Sequence, residues 1–190
     1  MSKVKKMSAS SVEKYPQASP AGGVIFYDYL NWLDGERVVY LSERIIDGKP
    51  TGLYSIYGGF AECGDFLKHP IGHVQNKLVE VYRECKEEIG EEFTKIVPLD
   101  DFLKNSEYVC NLLIRTNDVN KIHDSLFVSY AVTDRLANFL ANNAKPTEEQ
   151  MPAKPYSITL KDGGIVLPEG IKLFHAHEAD AIAAFLNQKH

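Results

Sequence analysis

Residues Gly58 to Gly90 read GGFAECGDFLKHPIGHVQNKLVEVYRECKEEIG, and this stretch decides the fold. It opens as a Gly-rich, acidic loop at the end of a predicted strand. It closes as an amphipathic helix whose last eight residues, Arg83-Glu84-Cys85-Lys86-Glu87-Glu88-Ile89-Gly90, carry three glutamates. At about 100° per residue, Glu87 falls about 60° to one side of Glu84 and Glu88 about 40° to the other. Leu78, Tyr82, Cys85 and Ile89 cluster on roughly the opposite arc, with Val74 close to it. One face is therefore core, and the other presents Glu84, Glu87 and Glu88 with Glu80 nearby. Most charge runs are solvated helix faces. Acids this dense repel one another unless a cation sits among them, and the loop-plus-helix setting favours the cation. Hard oxygen ligands on one face suit Mg²⁺ or Mn²⁺, which bind through a few carboxylates, water and substrate phosphate.

Outward from this segment, the composition sets broad bounds. A chain of 190 residues is expected to form one domain with enough core to fold alone. The net charge is −5, and the only basic group is Lys3, Lys5 and Lys6, so no nucleic-acid footprint is expected. Cys63, Cys85 and Cys110 are odd in number and widely spaced, which fits a reduced, cytoplasmic protein. No apolar run approaches a membrane span, and the N-terminus lacks the apolar core of a secretory signal.

The organisation predicted along the chain is a flexible arm over residues 1–20 followed by a single domain over 21–190. Gly23 to Tyr27 reads as a buried strand and Arg37 to Arg44 as its hairpin partner across a turn near Asp34-Gly35. Asp47 to Pro50 reads as a loop and Leu53 to Tyr57 as a strand delivering the double glycine. Phe93 to Pro98, Tyr108 to Arg115 and Ser125 to Thr133 read as strands, the last rich in β-branched and aromatic residues. Asp134 to Asn143 reads as a helix capped by Thr133 or Asp134. Tyr156 to Leu160 and Gly164 to Leu167 form an expected hairpin around Asp162-Gly163, and an Ala-rich helix spans about His177 to Gln188. Strands mixed with a central and flanking helices imply helix–sheet–helix layering, an α/β class fold.

The quoted segment resembles the Nudix hydrolases, whose signature is Gx5Ex7REUxEExGU, with U a bulky aliphatic residue. Gly59 matches the opening glycine, and Arg83, Glu84, Glu87, Glu88 and Gly90 match the REUxEExG portion in order and spacing. Asp65 stands where the family has its first Glu. The seven-residue spacer becomes seventeen residues, Phe66 to Tyr82, and Cys85 and Glu91 fill the two U positions. The resemblance implies an α/β/α sandwich with a mixed central sheet and an Mg²⁺-dependent pyrophosphohydrolase acting on a nucleoside diphosphate linked to another group. It implies Mg²⁺, with Mn²⁺ as the alternative, on Glu84, Glu87, Glu88 and Asp65, and Arg83 orienting those carboxylates. A homodimer is a frequent state of the fold. Two other readings stay open: a Nudix-fold binding or sensor module without turnover, and a prenyl diphosphate isomerase.

Other residues have competing readings. Tyr108 lies roughly where dinucleoside-polyphosphate-cleaving members carry a base-stacking tyrosine, or else it is an ordinary sheet residue. The insertion, Phe66 to Gln75, contains His69 and His73, which can donate to phosphate or stack on a base. It forms either one wall of the substrate pocket, with His69 on the substrate, or a surface excursion. Val74 continues the apolar stripe, so the helix is expected to begin near Gly72 or His73, with Pro70 just before or at that start. Cys63 is either a loop filler or a nucleophile, and Cys85 faces the core. His175 and His177 read as exposed histidines at a helix start, with a transition-metal pair as the alternative. Glu148 and Glu149, in the polar loop from Lys145 to Lys154, are the candidates for a general base outside the helix.

Overall fold

The computed structural model describes residues 19–33, 36–60, 73–115 and 122–188. Of the expected arm over 1–20, residues 1–18 lie outside the described residues, as do the Asp34-Gly35 turn and Cys63, Asp65, His69 and Pro70, while Ser19 and Pro20 already belong to a strand. The strands are β1 (Ser19–Leu33), β2 (Glu36–Ile46), β3 (Lys49–Ser55), β4 (Tyr57–Phe60), β5 (Glu107–Arg115), β6 (Ile122–Ala131), β7 (Lys154–Lys161) and β8 (Gly164–Val166). The helices are α1 (His73–Ile89), α2 (Phe93–Ile96), α3 (Leu99–Asn105), α4 (Asp134–Asn138), which runs into a π-helical turn at Phe139–Asn143, and α5 (Ala176–Leu186).

One mixed sheet runs in the order β5-β6-β1-β2-β7-β8. β1 pairs in parallel with β6, from Ser19 opposite His123 to Tyr27 opposite Ala131. The other pairings are antiparallel. Along its second edge β1 meets β4 first, over Ala21 to Val24, and then β2, from Tyr27 onward. β2 in turn takes β3 beyond Leu41, from Ser42 opposite Ser55. β1 and β2 therefore diverge toward the start of one and the end of the other. The consecutive strands β3 and β4 fill the gap, one on each side.

Side chains alternate across β1 and feed two cores, as the period of two in a strand requires. Val24 and Phe26 pack with Tyr82, Cys85 and Phe93 on one face. Ile25 and Tyr27 pack with Phe127, Ile182 and Phe185 of α5 on the other. This is the helix–sheet–helix layering expected from the sequence. Phe26 sits at the centre of the first core, edge-on to Tyr57, Phe93 and Tyr130 at 5.9–6.0 Å. Such aromatic pairs add about 0.5–1.5 kcal/mol each beyond their buried area. No helix among the described residues is long and apolar enough to cross a membrane.

α1 reaches back to His73, as the apolar stripe predicts, and buries Val81, Tyr82, Cys85 and Ile89. Gly90, at φ 108°, ends it. The expected strand at Phe93 to Pro98 is instead the short helix α2, closed by Val97 N–H donating to Phe93 O at 2.8 Å. Thr94, Ile96 and Val97 suggest a strand. However, Phe93 is fully buried and Tyr82 donates its hydroxyl to Val97 O at 2.8 Å, so packing against α1 overrides local propensity. Thr133 caps α4 as expected, accepting from Leu136 N–H at 3.2 Å. Lys49 and Pro50, expected in a loop, already belong to β3.

Candidate active site

A cavity of about 350 Å³ lies where β1, β2 and β4 meet the glutamate helix. Its walls come from β1 (Ala21, Gly22, Gly23), β2 (Arg44), β4 (Gly58, Gly59), α1 (Arg83, Glu84, Glu87, Glu88) and the start of α5. A second cavity of about 380 Å³ touches the same three glutamates from the side of Thr147, Glu148 and Glu149. The helix acids and both loop acids therefore surround one region.

The double glycine is what lets α1 approach the sheet. Gly58 adopts φ 155° with its backbone pressed on Gly22 and Gly23, where a Cβ would collide. Its N–H donates to Glu88 Oε2 at 2.8 Å. Gly59 has space for no side chain because the Glu84 carboxylate lies where its Cβ would project.

Each glutamate has a distinct setting. Glu88 is buried, which periodicity alone does not foresee, and it also accepts from Arg44 Nη1 at 2.8 Å. Burial pushes its carboxyl up to about 8, against the Gly58 N–H and the Arg44 charge. Glu84 is raised by burial and, among charges, lowered by Arg83. Glu87 is exposed and meets Arg83 Nη1 at 2.7 Å. Arg83 also reaches Glu84 and, through Nε at 2.9 Å, Glu80. It thus pairs with three acids of the same helix. With Arg83 and Arg44 holding them, the three carboxylates line one cavity but do not close on a point. Among the described residues no group of three or more His, Cys, Asp or Glu is posed around a metal ion.

Among the described residues the donor set nevertheless fits a hard divalent cation: three carboxylates at one cavity, no sulfur in its lining, and a glycine cradle that a Cβ would fill.

Residues that sequence reasoning missed also shape the site. Arg44 bridges Glu88 and Glu149, the latter at 3.1 Å, and lies 5.5 Å from the Phe174 ring centre. Its partner is far away in sequence, so no local signal marks it. Glu178 lines the cavity at 2% exposure and accepts from Ser55 Oγ at 2.6 Å and His175 N–H at 3.1 Å. Its spacing from His175 is that of a capping box, a signal obscured by reading the helix from His177. His175 and His177 stack on one another at 5.0 Å rather than converge on a common point. Tyr108 is 59% exposed on β5 and does not line the cavity.

No protein-family model and no curated protein matches this chain. Among solved structures, it is similar to a MutT/nudix family protein from Enterococcus faecalis, with TM-score 0.48 and 13% identity over 87% of this chain. The alignment spans 57% of that protein's length. It is also similar to a NUDIX hydrolase from Alicyclobacillus acidocaldarius, with TM-score 0.47 and 12% identity over 73% of this chain and 78% of the other. The NUDIX domain of Shewanella oneidensis NrtR, complexed with ADP ribose, aligns over 96% of this chain and 100% of its own at 13% identity and TM-score 0.40.

Proposed function

We propose that the chain is a Nudix-type pyrophosphohydrolase that cleaves the diphosphate of a nucleoside diphosphate linked to another group, with Mg²⁺ or Mn²⁺ as cofactor. One observation carries the reading: Glu84, Glu87 and Glu88 share a cavity with Arg83 and the double glycine, and Glu84 fills the space that Gly59 leaves. Those three glutamates would hold the cation, with Asp65 as a further ligand. When bound, the cation neutralises the diphosphate and makes a water acidic enough to attack phosphorus.

The chain's own groups do the rest. Arg83 aligns Glu84 and Glu87. The Gly58 N–H and Arg44 fix Glu88 at the strand edge. Glu149, which lines both cavities, would accept the proton of the attacking water. Its loop is pinned by Ile45 N–H donating to Glu149 O at 2.7 Å and by Thr147 Oγ1 accepting from Gln150 N–H at 3.1 Å. The reading is of a cytoplasmic protein acting on a small molecule, as a monomer or a homodimer.

The test is turnover of a panel of nucleotides, sugar nucleotides and cofactors with Mg²⁺ and Mn²⁺, with products identified by mass. A mononucleotide plus a phosphorylated second product is the expected pattern. Glu87→Gln and Glu88→Gln should each slow it roughly a hundredfold or more with the fold retained. Unchanged rates in both variants contradict the assignment. Binding without any product would identify a ligand-holding module instead.

A further inference from the structure

The cavity is not uniform. Its α1 end carries the three glutamates and Arg83, whereas the part lined by β5, β6 and His177 presents no ionic side chain. Ile114, Ser125, Phe127 and His177 meet there, next to the small residues Ala21 and Gly23. β6 lies directly beside β1 and β5 beyond it. At about 4.8 Å per strand, this end extends roughly 10 Å across the sheet from β1.

A series of rings runs beside the cavity, and His175, His177 and Phe127 among them line it. Arg44, which holds Glu88, lies 5.5 Å from the centre of Phe174. Phe174 meets His175 edge-on at 4.5 Å. His175 stacks on His177 at 5.0 Å and 19°, and His177 faces Phe127 at 6.1 Å. Burial, and for His177 also the neighbouring His175, pushes both imidazoles down, His177 to about 4. At neutral pH His175 and His177 are therefore uncharged, and with Phe127 they offer an aromatic surface that suits a flat ring better than a phosphate.

Ser125 gives the second observation. It is 1% exposed, its hydroxyl has no hydrogen-bond partner among the described residues, and it lines the cavity. A buried hydroxyl left unpaired is costly, and its neighbours do not explain it. Opposite Ser125 in the parallel pairing stands Ala21, a small residue that also lines the cavity.

We infer that Ile114, Phe127 and His177 bind a flat, uncharged ring, a nucleobase, and that Ser125 Oγ hydrogen-bonds its edge. This rests on the proposed function, which places the diphosphate at the glutamates, and it adds which end of the cavity takes the nucleoside. The second group of the substrate then points out past Glu87 and Glu149.

Titration calorimetry on the full chain in Mg²⁺ tests this with three kinds of probe. They are methylenebisphosphonate, the α,β-methylene diphosphates of adenosine, guanosine, cytidine and uridine, and the four free nucleosides. At least one nucleoside methylene diphosphate should bind about tenfold or more tighter than methylenebisphosphonate, the scale of one base stacked on an aromatic group. His177→Ala should remove that advantage and leave methylenebisphosphonate affinity unchanged. His177→Phe, which keeps an aromatic surface, should restore it. Ser125→Ala should alter the ranking of the four bases. If wild type binds methylenebisphosphonate as tightly as every nucleotide, the subsite is wrong and the hydrolase reading stands. If the nucleosides bind in a His177-dependent way and methylenebisphosphonate does not bind, the subsite stands and the hydrolase reading fails. Equal weakening of all probes by His177→Ala overturns the inference.

Discussion

Gly58 and Gly59 are adjacent, yet a methyl group added to each meets different things. At Gly58 it strikes the backbone of β1, which cannot yield, and the φ of 155° is itself unsuited to a side chain. At Gly59 the nearest atoms it meets among the described residues are those of the Glu84 carboxylate, the far end of a flexible chain. Gly58→Ala should therefore cost about 2–3 kcal/mol or more in urea unfolding. Gly59→Ala should stay within about 0.5 kcal/mol of the parent but lose most of its turnover, because Glu84 is displaced. Equal stability losses in the two variants would refute this division of roles. The sequence shows the pair as one Gly-Gly unit at the end of a strand. It does not show that one glycine accommodates a strand and the other a carboxylate, because both neighbours come from elsewhere in the chain.

At the scale of the element, α5 carries a buried acid whose ionisation opposes folding. Burial pushes Glu178 up to about 7 from the usual 4.5, although the Ser55 hydroxyl, the His175 and Ile56 N–H groups and the Arg44 charge pull it down. Between those values the folded protein keeps a proton that the unfolded chain has lost. Stability from this group is thus present at acid pH and lost as pH rises through about 7, by about 3 kcal/mol in full. Glu178→Gln should flatten that slope. The difference between parent and variant in urea unfolding from pH 5 to 8 isolates Glu178 from Glu88, whose carboxyl is pushed higher still. Parallel curves for the two proteins would rule the account out. Elements with a long, clean period, α1 and the strands of the sheet, are legible from sequence because the pattern is set by the face they bury. α2 is not, since four residues are too short for a period and its β-branched residues favour a strand. Glu178 and Arg44 are not legible either, because what makes them special is burial against partners 123 and 44 positions away.

For the whole molecule, the charge balance of the site predicts coupling between cation and fold. Glu84, Glu87, Glu88 and Glu149 surround one region and share Arg83 and Arg44 as their cations. A divalent ion that binds only the folded chain adds about 2.7 kcal/mol at a hundred times its dissociation constant. For a chain of this size that raises the midpoint of thermal unfolding by roughly 5–10 °C over a chelator control. Glu87→Gln should reduce the increment. A midpoint unmoved by Mg²⁺ and Mn²⁺ would place the cation elsewhere. The parallel pairing of β1 with β6 has a further consequence, for the order in which the molecule comes into being. As the nascent chain leaves the ribosome, β1 finds β2 and β4 early, but its other edge waits until Ile122 to Ala131 has been made. Pairings this distant in sequence form slowly. The glutamate helix is thus on the page of synthesis well before the floor at Ser125 and Phe127, and the histidine wall follows last. A chain that stalls before Ala176 has made every acid of the charged end and none of α5, leaving Ile25, Tyr27 and Phe127 bare for a chaperone or a protease to find.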